Sequence, residues 1–526
     1  MFGEHDRHDK HSGFGCCGPR VPRPAHGRPS TVGLVRCAPG WAGSGLEGLT
    51  WPDLREAGAE APAVPARRRL LVKPILTYPQ PVPHPQTSWR NWGGIQSADD
   101  LAHEVQRIHG ELERLKTSAD FPLELLPLAQ VRGAAQLAAL RDAYTADALL
   151  VYAAGDGAGD LMAEVNLLEQ WGKDTILFVR HQSGPLYYWY EGVSARFHRQ
   201  HTDQQTTRTI RCEDTVVDRM EEVLWRLRAL AGLRATVGTR ILAIGWPDPA
   251  VWPPEPSVQP LLRPWQFAVE SVSYHQLGQL IRAARQDPRA TELARTRAEQ
   301  YLAQPHTQLQ TEFQFVQNAF LLEQIFRGLL VKSGCRAITV AACMSVIIPM
   351  AETTACLPLS LLNDAGYLAW CEADFFAIPA ATLLANIVGR PVFLCAPGFP
   401  HEKIITLAHC SAPRIMDGPT LWPAAIMTHY ESDYGAAPRV EMPIGHQVTL
   451  IVPDYAGKRW LGLSGQIAAN PRAAVCRTQV DVRFQAPDSL VAERMPGYRW
   501  VLASGRYLRE VGYALRRVGV TWDCLG

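Results

Sequence analysis

The chain has 526 residues, of which 47% are hydrophobic and 20% are charged. These fractions are typical of a folded globular protein, and the length predicts two or three domains. The 52 basic and 51 acidic residues leave a formal charge of +1, which argues against nucleic acid or an anionic membrane surface as a partner.

The sequence predicts neither a secretory signal nor a transmembrane helix. Residues 1–68 are rich in His, Gly, Pro and Arg and lack an apolar stretch, so we predict a flexible N-terminal extension there. The apolar run at residues 338–350 is broken by Pro349 and is too short to cross a bilayer.

The cysteines are typical of buried, reduced thiols in a cytoplasmic protein. The chain has 12 of them, with no Cys-x-x-Cys spacing, which argues against a zinc ribbon or a redox dithiol. At least six lie in or beside apolar runs: Cys335, Cys343, Cys356, Cys371, Cys395 and Cys410.

A first α/β domain is predicted over residues 69–240. Its strands are expected at residues 70–72, 148–154 and 175–179, with an amphipathic helix that begins after an N-cap at Ser97. The alternation of strands and helices predicts a doubly wound, Rossmann-like unit. The glycine-rich segment at 155–160 is a weak match to a phosphate-binding loop and is more typical of a strand exit beside a sugar cleft.

A second doubly wound domain is predicted over residues 241–416, and a β-rich C-terminal domain over 417–526. Strand-like runs in the second domain lie at residues 241–244, 337–342, 367–370, 391–395 and 404–408. Their separations favour crossover connections and parallel pairing. Beyond residue 417 the runs are short and punctuated by Gly and Pro, which is typical of a β-rich domain.

Three chemically suited residues stand near the ends of these runs. Glu352, Asp374 and His409 are expected to meet in one crevice, since ligands gather at the carboxyl ends of parallel strands. Two carboxylates and one imidazole suit Mn²⁺ or Mg²⁺ better than zinc.

Each of these residues also has a structural interpretation. Asp374 can cap the helix that follows it, Glu352 can be an exposed loop acid, and His409 can be a hydrogen-bonded core histidine. Glu372 is expected to point away from Asp374 if the turn between them is extended.

Four sequence blocks resemble the L-fucose isomerase-like family, which includes L-arabinose isomerase. The blocks are LSLLNDAG at 359–366, CEAD at 371–374, GRPVF at 389–393 and HC at 409–410. The resemblance covers residues from about Leu70 to the C-terminus. It implies two α/β domains, a β-rich C-terminal domain, and Mn²⁺-dependent interconversion of aldoses and ketoses in a homo-oligomer.

The resemblance also implies roles for individual residues. Asp374 matches a metal-binding carboxylate, Glu352 lies about where relatives place a carboxylate that binds metal and moves the proton, and His409 matches a metal-binding histidine. Relatives carry a further histidine where this chain has Tyr498-Arg499-Trp500. Among the histidines that can compensate for it, His429 is the best placed, and we predict that it contributes to substrate binding.

The expected reaction is isomerisation of a free sugar through an enediolate. A bound metal acidifies the C–H bond beside the carbonyl, and Glu352, with Asp374 as a second group, moves the proton. Trp89 and Arg90 are predicted to bind sugar, the arginine across a subunit interface, although a structural cation–π pair is an equal alternative.

Two other functions stay open at this point. One is a catalytically silent sugar-binding or scaffold protein that has lost metal ligands. The other is a carbohydrate enzyme with a different reaction, such as epimerisation or retro-aldol cleavage.

Overall fold

The computed structural model describes residues 46, 48–59, 64, 66–155, 161–187, 210–247 and 255–526. The helices are α1 (Trp51–Ala59), α2 (Ala98–Ser118), α3 (Ala134–Ala138), α4 (Arg141–Thr145), α5 (Leu161–Trp171), α6 (Met220–Thr236), α7 (Glu255–Leu262), α8 (Tyr274–Gln286), α9 (Pro288–Leu302), α10 (Phe313–Ser333), α11 (Ile348–Ala351), α12 (Cys356–Asp364), α13 (Ile378–Val388), α14 (Asp488–Arg494) and α15 (Leu508–Arg517).

The strands alternate with helices in the first two thirds of the chain and dominate the last third. They are β1 (Leu70–Thr77), β2 (Leu123–Leu125), β3 (Ala129–Val131), β4 (Ala148–Ala153), β5 (Asp174–Val179), β6 (Thr215–Val217), β7 (Arg240–Ile244), β8 (Ala268–Val272), β9 (Thr307–Gln310), β10 (Ala337–Val340), β11 (Leu368–Cys371), β12 (Phe393–Pro397), β13 (Ile404–His409), β14 (Ala424–Met427), β15 (Ala437–Val440), β16 (Gln447–Pro453), β17 (Arg459–Ala469), β18 (Thr478–Arg483), β19 (Trp500–Ser504) and β20 (Thr521–Cys524).

The first sheet is parallel, in the order β2-β1-β4-β5-β6, with β3 also paired to β1. Every residue of β4 is buried, as expected for a parallel strand covered on both faces. The strands predicted at residues 70–72, 148–154 and 175–179 are confirmed. The capping box that Ser97 and Asp100 form at the start of α2 is confirmed as well.

The second sheet is also parallel, in the order β11-β10-β7-β8. The mixed α/β class with parallel sheets is thus confirmed. Helix α10 packs beside this sheet and is buried over most of its length.

Helix α1 lies within the predicted flexible extension of residues 1–68 and shows that this part of it is folded, whereas residues 1–45 lie outside the described residues. It packs on α10, with Trp51 and Leu54 at most 4% exposed. The close approach depends on Gly328, where an added Cβ would lie 2.9 Å from the Cβ of Leu54. This helix was not predicted because its apolar residues are few and lie in a Pro- and Gly-rich context.

The C-terminal region is β-rich, as predicted, and forms a closed antiparallel barrel. Its six strands run β16-β19-β12-β13-β18-β17, and β17 returns to pair with β16. Strand β20 adds to β17 in parallel. A closed sheet leaves no unpaired edge among these six strands.

Two strands of this barrel were wrongly predicted to be parallel members of the second sheet. The runs at 391–395 and 404–408 contribute to β12 and β13, which pair with each other antiparallel. Only residues 398–403 separate them, a hairpin-length connection, whereas a parallel pair needs a crossover of a dozen residues or more. The barrel therefore begins before the boundary predicted at residue 417.

A small three-stranded sheet has the order β15-β14-β9. It joins β9, which precedes β10 in the chain, to β14 and β15, which lie between the barrel strands β13 and β16. Strand β14 is parallel to β9 and antiparallel to β15. This sheet places the loop after β14, which contains His429, beside the residues that open α12.

No single helix in the described ranges has both the length and the apolar composition to cross a membrane. The segments Cys343–Ala351 and Cys356–Asp364 satisfy both criteria only when they are taken together, and they are bent by 91°.

Candidate active site and thiol cluster

The turn after β11 has a left-handed backbone at two residues that are not glycine. Glu372 has φ 71° and Ala373 has φ 49°, a conformation that costs on the order of 1–3 kcal/mol per residue. The backbone N–H of Glu372 donates to the carbonyl of Val340 at 2.7 Å, and that of Ala373 donates to Oγ1 of Thr339 at 3.1 Å. These bonds to β10 hold the turn in its strained form.

This turn corrects the prediction that Glu372 points away from Asp374. That prediction assumed an extended backbone with alternating side chains. In the left-handed turn, the carboxylates of Glu372 and Asp374 both contact the guanidinium of Arg499.

The two carboxylate oxygens of Asp374 have different partners. Oδ1 accepts from the backbone N–H groups of Phe376 and Ala377 at 3.2 and 3.4 Å. Both donors lie in the turn before α13, and the helix has no side-chain cap, so Asp374 stabilises this turn and does not cap the helix as predicted. Oδ2 accepts from Nε of Arg499 at 3.1 Å.

Burial raises the pKa of Asp374 to about 6, while the two backbone donors and nearby His409 pull it down. A carboxyl group with a pKa in this range can both take and return a proton near neutral pH.

Arg499 lies directly before β19, in the segment where the resembling family has an additional histidine. Its guanidinium lies 4.5 Å from the ring centroid of Tyr498 and contacts both carboxylates. Burial lowers the pKa of Arg499, but a guanidinium starts so high that it stays charged. The guanidinium therefore lies between Glu372 and Asp374, next to one of the three residues that were expected to bind a metal.

His409 ends β13 and is 3% exposed. Its Nε2 lies 3.8 Å from Oε1 of Glu372, and its Nδ1 lies 3.4 Å from Oγ of Ser411 and 3.6 Å from Sγ of Cys410. Asp374 and His409 thus come together, although His409 arrives on an antiparallel barrel strand.

Glu352 lies apart from this crevice. It has φ 48° at the end of α11, its side chain is 56% exposed, and Oε1 accepts from Arg285 of α8 at 2.7 Å. The exposed-acid interpretation describes it better than the catalytic one. Glu352, Asp374 and His409 do not converge, so these residues do not fit the predicted Mn²⁺ or Mg²⁺ site.

Trp89 and Arg90 lie in the loop between β1 and α2. Arg90 is exposed, and its guanidinium lies 5.1 Å from the ring centroid of Trp89, which is the geometry of the cation–π alternative. Their predicted role in sugar binding stays a prediction. Residues 156–160 of the glycine-rich segment lie outside the described residues.

Five free cysteines form a cluster beneath the crevice. Cys343 contacts Cys356 and Cys371, and Cys410 contacts Cys356, Cys371 and Cys476. Hydrogen bonding with Cys343 lowers the pKa of Cys356 to about 6, and hydrogen bonding with Cys410 lowers the pKa of Cys476 to about 4.

His429, predicted to bind substrate, belongs to this cluster. It is 3% exposed and hydrogen-bonded to Cys476. Its Nδ1 also accepts a long bond of 3.3 Å from the backbone N–H of Glu431. One ligand atom each from Cys356, Cys410 and His429 lie within 4.8 Å of one another.

The predicted buried, free state of six cysteines is confirmed, but their mutual contact was missed. Spacing rules search for ligands on one short segment, whereas these thiols come from five places: the π-helical turn at 343–347, the start of α12, the end of β11, and the residues next to β13 and β18. One feature of the sequence could have indicated the cluster: several successive helices and strands begin or end at a cysteine.

An aromatic depression of about 340 Å³ lies next to Arg499. Phe399, Tyr455 and Tyr498 line it and are 78%, 54% and 50% exposed. The ring of Phe376, two residues after Asp374, packs edge-on against Tyr455 at 5.3 Å between centroids. The depression is therefore connected to the Asp374 segment through Phe376 and Tyr455 and, on its other side, through Tyr498 and Arg499.

No known family model matches the chain, and no curated protein matches it.

Proposed function

We propose that the protein is an aldose–ketose isomerase that acts on an open-chain sugar at the crevice formed by Glu372, Asp374, His409 and Arg499. The observation that supports this best is the placement of Asp374. Its carboxylate is buried, accepts from two backbone N–H groups through one oxygen and from Arg499 through the other, and has a pKa raised to about 6. These are the properties of a proton-transfer group that works near neutral pH.

In the proposed reaction, the Asp374 carboxylate removes the proton from C2 of the aldose. The C–H electron pair becomes the C1–C2 double bond, and the carbonyl π electrons move to O1 as an enediolate. Arg499, a permanent cation next to this carboxylate, stabilises the developing negative charge. A proton moves from O2 to O1, the carbonyl re-forms at C2, and Asp374 returns its proton to C1.

The aromatic depression is the proposed binding surface for the rest of the sugar. Exposed aromatic rings stack on the C–H faces of sugars, and tyrosine hydroxyls add hydrogen bonds at the ring edge. Tyr498 carries both features and is adjacent in sequence to Arg499. The contact between the Tyr498 ring and the Arg499 guanidinium joins the proposed substrate-binding surface to the site of proton transfer.

The predicted requirement for Mn²⁺ or Mg²⁺ stays a prediction, and no step above uses it. Arg499 contacts the two carboxylates nearest to His409, so a divalent ion would have to displace a guanidinium there. Assays with and without a chelator, followed by added Mn²⁺, test this requirement directly.

The decisive experiment incubates the protein with a panel of aldoses in D₂O. Isomerisation through an enediolate incorporates deuterium at the carbon next to the carbonyl, and NMR detects this together with ketose formation. Asp374→Asn should lower both rates by roughly 10²–10⁴-fold, whereas Glu352→Gln should leave them nearly unchanged. Equal rates in wild type and Asp374→Asn would refute the proposal.

A sugar-binding protein without catalysis is the second candidate, and one observation favours it. Arg499 pairs with both carboxylates, so neither carboxylate is free to act as a base beside the aromatic depression. Saturable sugar binding with no deuterium incorporation for any aldose would favour this candidate.

We also propose that the two parallel sheets belong to separate doubly wound domains and that the chain forms a homo-oligomer. In that assembly, Trp89 and Arg90 would serve the crevice of a neighbouring subunit. Light scattering of wild type and Trp89→Ala/Arg90→Ala tests the assembly, and a change in the Michaelis constant without a change in assembly would support the role in substrate binding.

A further inference from the structure

We propose that Cys356, Cys410, His429 and Cys476 form a binding site for a thiophilic divalent ion of the Zn²⁺ type. The site adjoins the proton-transfer crevice, since Sγ of Cys410 lies 3.6 Å from Nδ1 of His409, but its metal binding does not depend on the proposed isomerase function. It goes beyond the oxygen-rich site expected from the sequence, because its donors are sulfur and imidazole nitrogen.

Three possible ligand atoms lie close enough together to bind one ion. Ligand atoms from Cys356, Cys410 and His429 lie within 4.8 Å of one another. In a tetrahedral zinc site with Zn–S near 2.3 Å, neighbouring sulfurs lie roughly 3.8 Å apart. The existing separations are thus close to those that one ion needs. A polynuclear iron–sulfur cluster would hold its thiolates farther apart, because each sulfur binds a different iron.

The three side chains are buried. Cys356, Cys410 and His429 are each at most 3% exposed, and Ala437 packs against the two cysteines. Thiolates in such a place are unfavourable unless a cation compensates their charge. Cys476 is hydrogen-bonded to both Cys410 and His429. It lies outside the group whose ligand atoms are all within 4.8 Å of one another, so it becomes the fourth ligand only after a small shift toward the ion.

The four proposed ligands lie on different elements of the fold. They come from the start of α12, the end of β13, the loop after β14 and the residue two before β18. One ion would join a helix beside the second sheet to two barrel strands and the small three-stranded sheet. Structural zinc sites stabilise proteins by this kind of cross-link.

The test measures bound metal on the full chain, purified with reductant and without chelator. Elemental analysis should give one equivalent of zinc per chain. Replacement by Co²⁺ should give the strong visible absorption of tetrahedral thiolate coordination. Cys410→Ser should remove both signals, whereas Cys395→Ser should keep them, because Cys395 is equally buried but bonds only to the carbonyl of Trp500.

Two further variants keep the result interpretable. Residues 1–45 contain cysteines and histidines of their own, so every measurement is repeated in a Cys16→Ser/Cys17→Ser background. Cys476→Ser removes the most exposed ligand with the least risk to folding. It should weaken Zn²⁺ affinity by more than the 10–100-fold typical of an outer partner.

Three results would overturn the proposal. One is metal content far below one equivalent in freshly reduced protein that has been supplied with Zn²⁺. Another is a Co²⁺ spectrum that Cys410→Ser and Cys476→Ser leave unchanged. The last is a disulfide between two of the four positions in the protein as isolated, shown by mass spectrometry of alkylated thiols.

Discussion

Two arginine–carboxylate pairs that lie beside left-handed turns, Arg285–Glu352 and Arg499–Asp374, differ in exposure. In the first pair, Arg285 and Glu352 are 29% and 56% exposed. In the second, Arg499 and Asp374 are 11% and 13% exposed. The charges and the contact distances are similar, at 2.7 and 3.1 Å, so the surroundings make the difference.

This comparison teaches that burial, rather than residue type, distinguishes a reactive carboxylate from an ordinary one. Water screens the Arg285–Glu352 pair, which leaves little net interaction. The Asp374 carboxylate has lost much of its hydration, so its pKa rises and its interaction with Arg499 becomes strong. The following predictions use substitutions that should affect one pair and spare the other.

The largest effect on stability is expected from Arg499→Met. The change leaves the Asp374 carboxylate buried without its cation, which should lower the free energy of unfolding by about 3 kcal/mol. Asp374→Asn in the same chain should recover most of this loss. Denaturant unfolding of the four proteins gives the coupling energy, and a coupling near zero would mean that the buried pair behaves like a surface pair.

A smaller effect is expected from pH. The pKa of Asp374 is raised from 3.8 to about 6, so the folded protein binds this proton more tightly than the unfolded chain. The stabilisation from Asp374 is therefore complete below about pH 4 and is lost as the pH rises through 6. The difference between these two pKa values corresponds to roughly 3 kcal/mol of folding stability. Because Arg499 favours the ionised form of Asp374, we expect the free energy of unfolding to change by about 1–2 kcal/mol over this pH range.

The measurement is the difference in unfolding free energy between wild type and Asp374→Asn from pH 4 to 8. The unfolding free energy of wild type minus that of Asp374→Asn should fall as the pH rises and level off above about pH 7. Burial also raises the pKa of Asp364, to about 7, but that residue is present in both proteins and cancels. A difference that is constant over the range would contradict the assignment.

The smallest effect is expected from the exposed pair. Arg285→Met and Glu352→Gln should each change the free energy of unfolding by less than about 1 kcal/mol, with no dependence of activity on either substitution. Moderate salt should reduce even this difference. A loss as large as that of Arg499→Met would mean that the Glu352 pocket has a role that its exposure does not suggest.

The fold was predictable wherever local pattern decides the structure. The strand at 148–154 is an uninterrupted apolar run, and Ser97 and Asp100 form a capping box that sequence spacing alone identifies. The pairing of β12 and β13 was mistaken because an apolar run does not reveal its partner. The length of the connection at 398–403 was the better guide.

The candidate site was predictable only in part, because its geometry depends on backbone angles and on distant residues. Asp374 and His409 were identified from their positions at strand ends. Glu372 was not, since nothing in the sequence shows that residues 372 and 373 are left-handed. Arg499 was noted only as a departure from the family pattern, and its contact with Asp374 spans 125 positions.

That separation has a consequence for how the protein is made. On the ribosome, the Asp374 turn emerges well before Arg499, and the barrel strands β12 and β13 emerge before the strands that close the sheet around them. During this interval the nascent chain holds a carboxylate without its counter-charge and an open β edge, which is the state most open to mispairing. We expect a chaperone that covers exposed strands to be needed most during synthesis of residues 410–504, and least once β19, which pairs with β12 and β16, has been added.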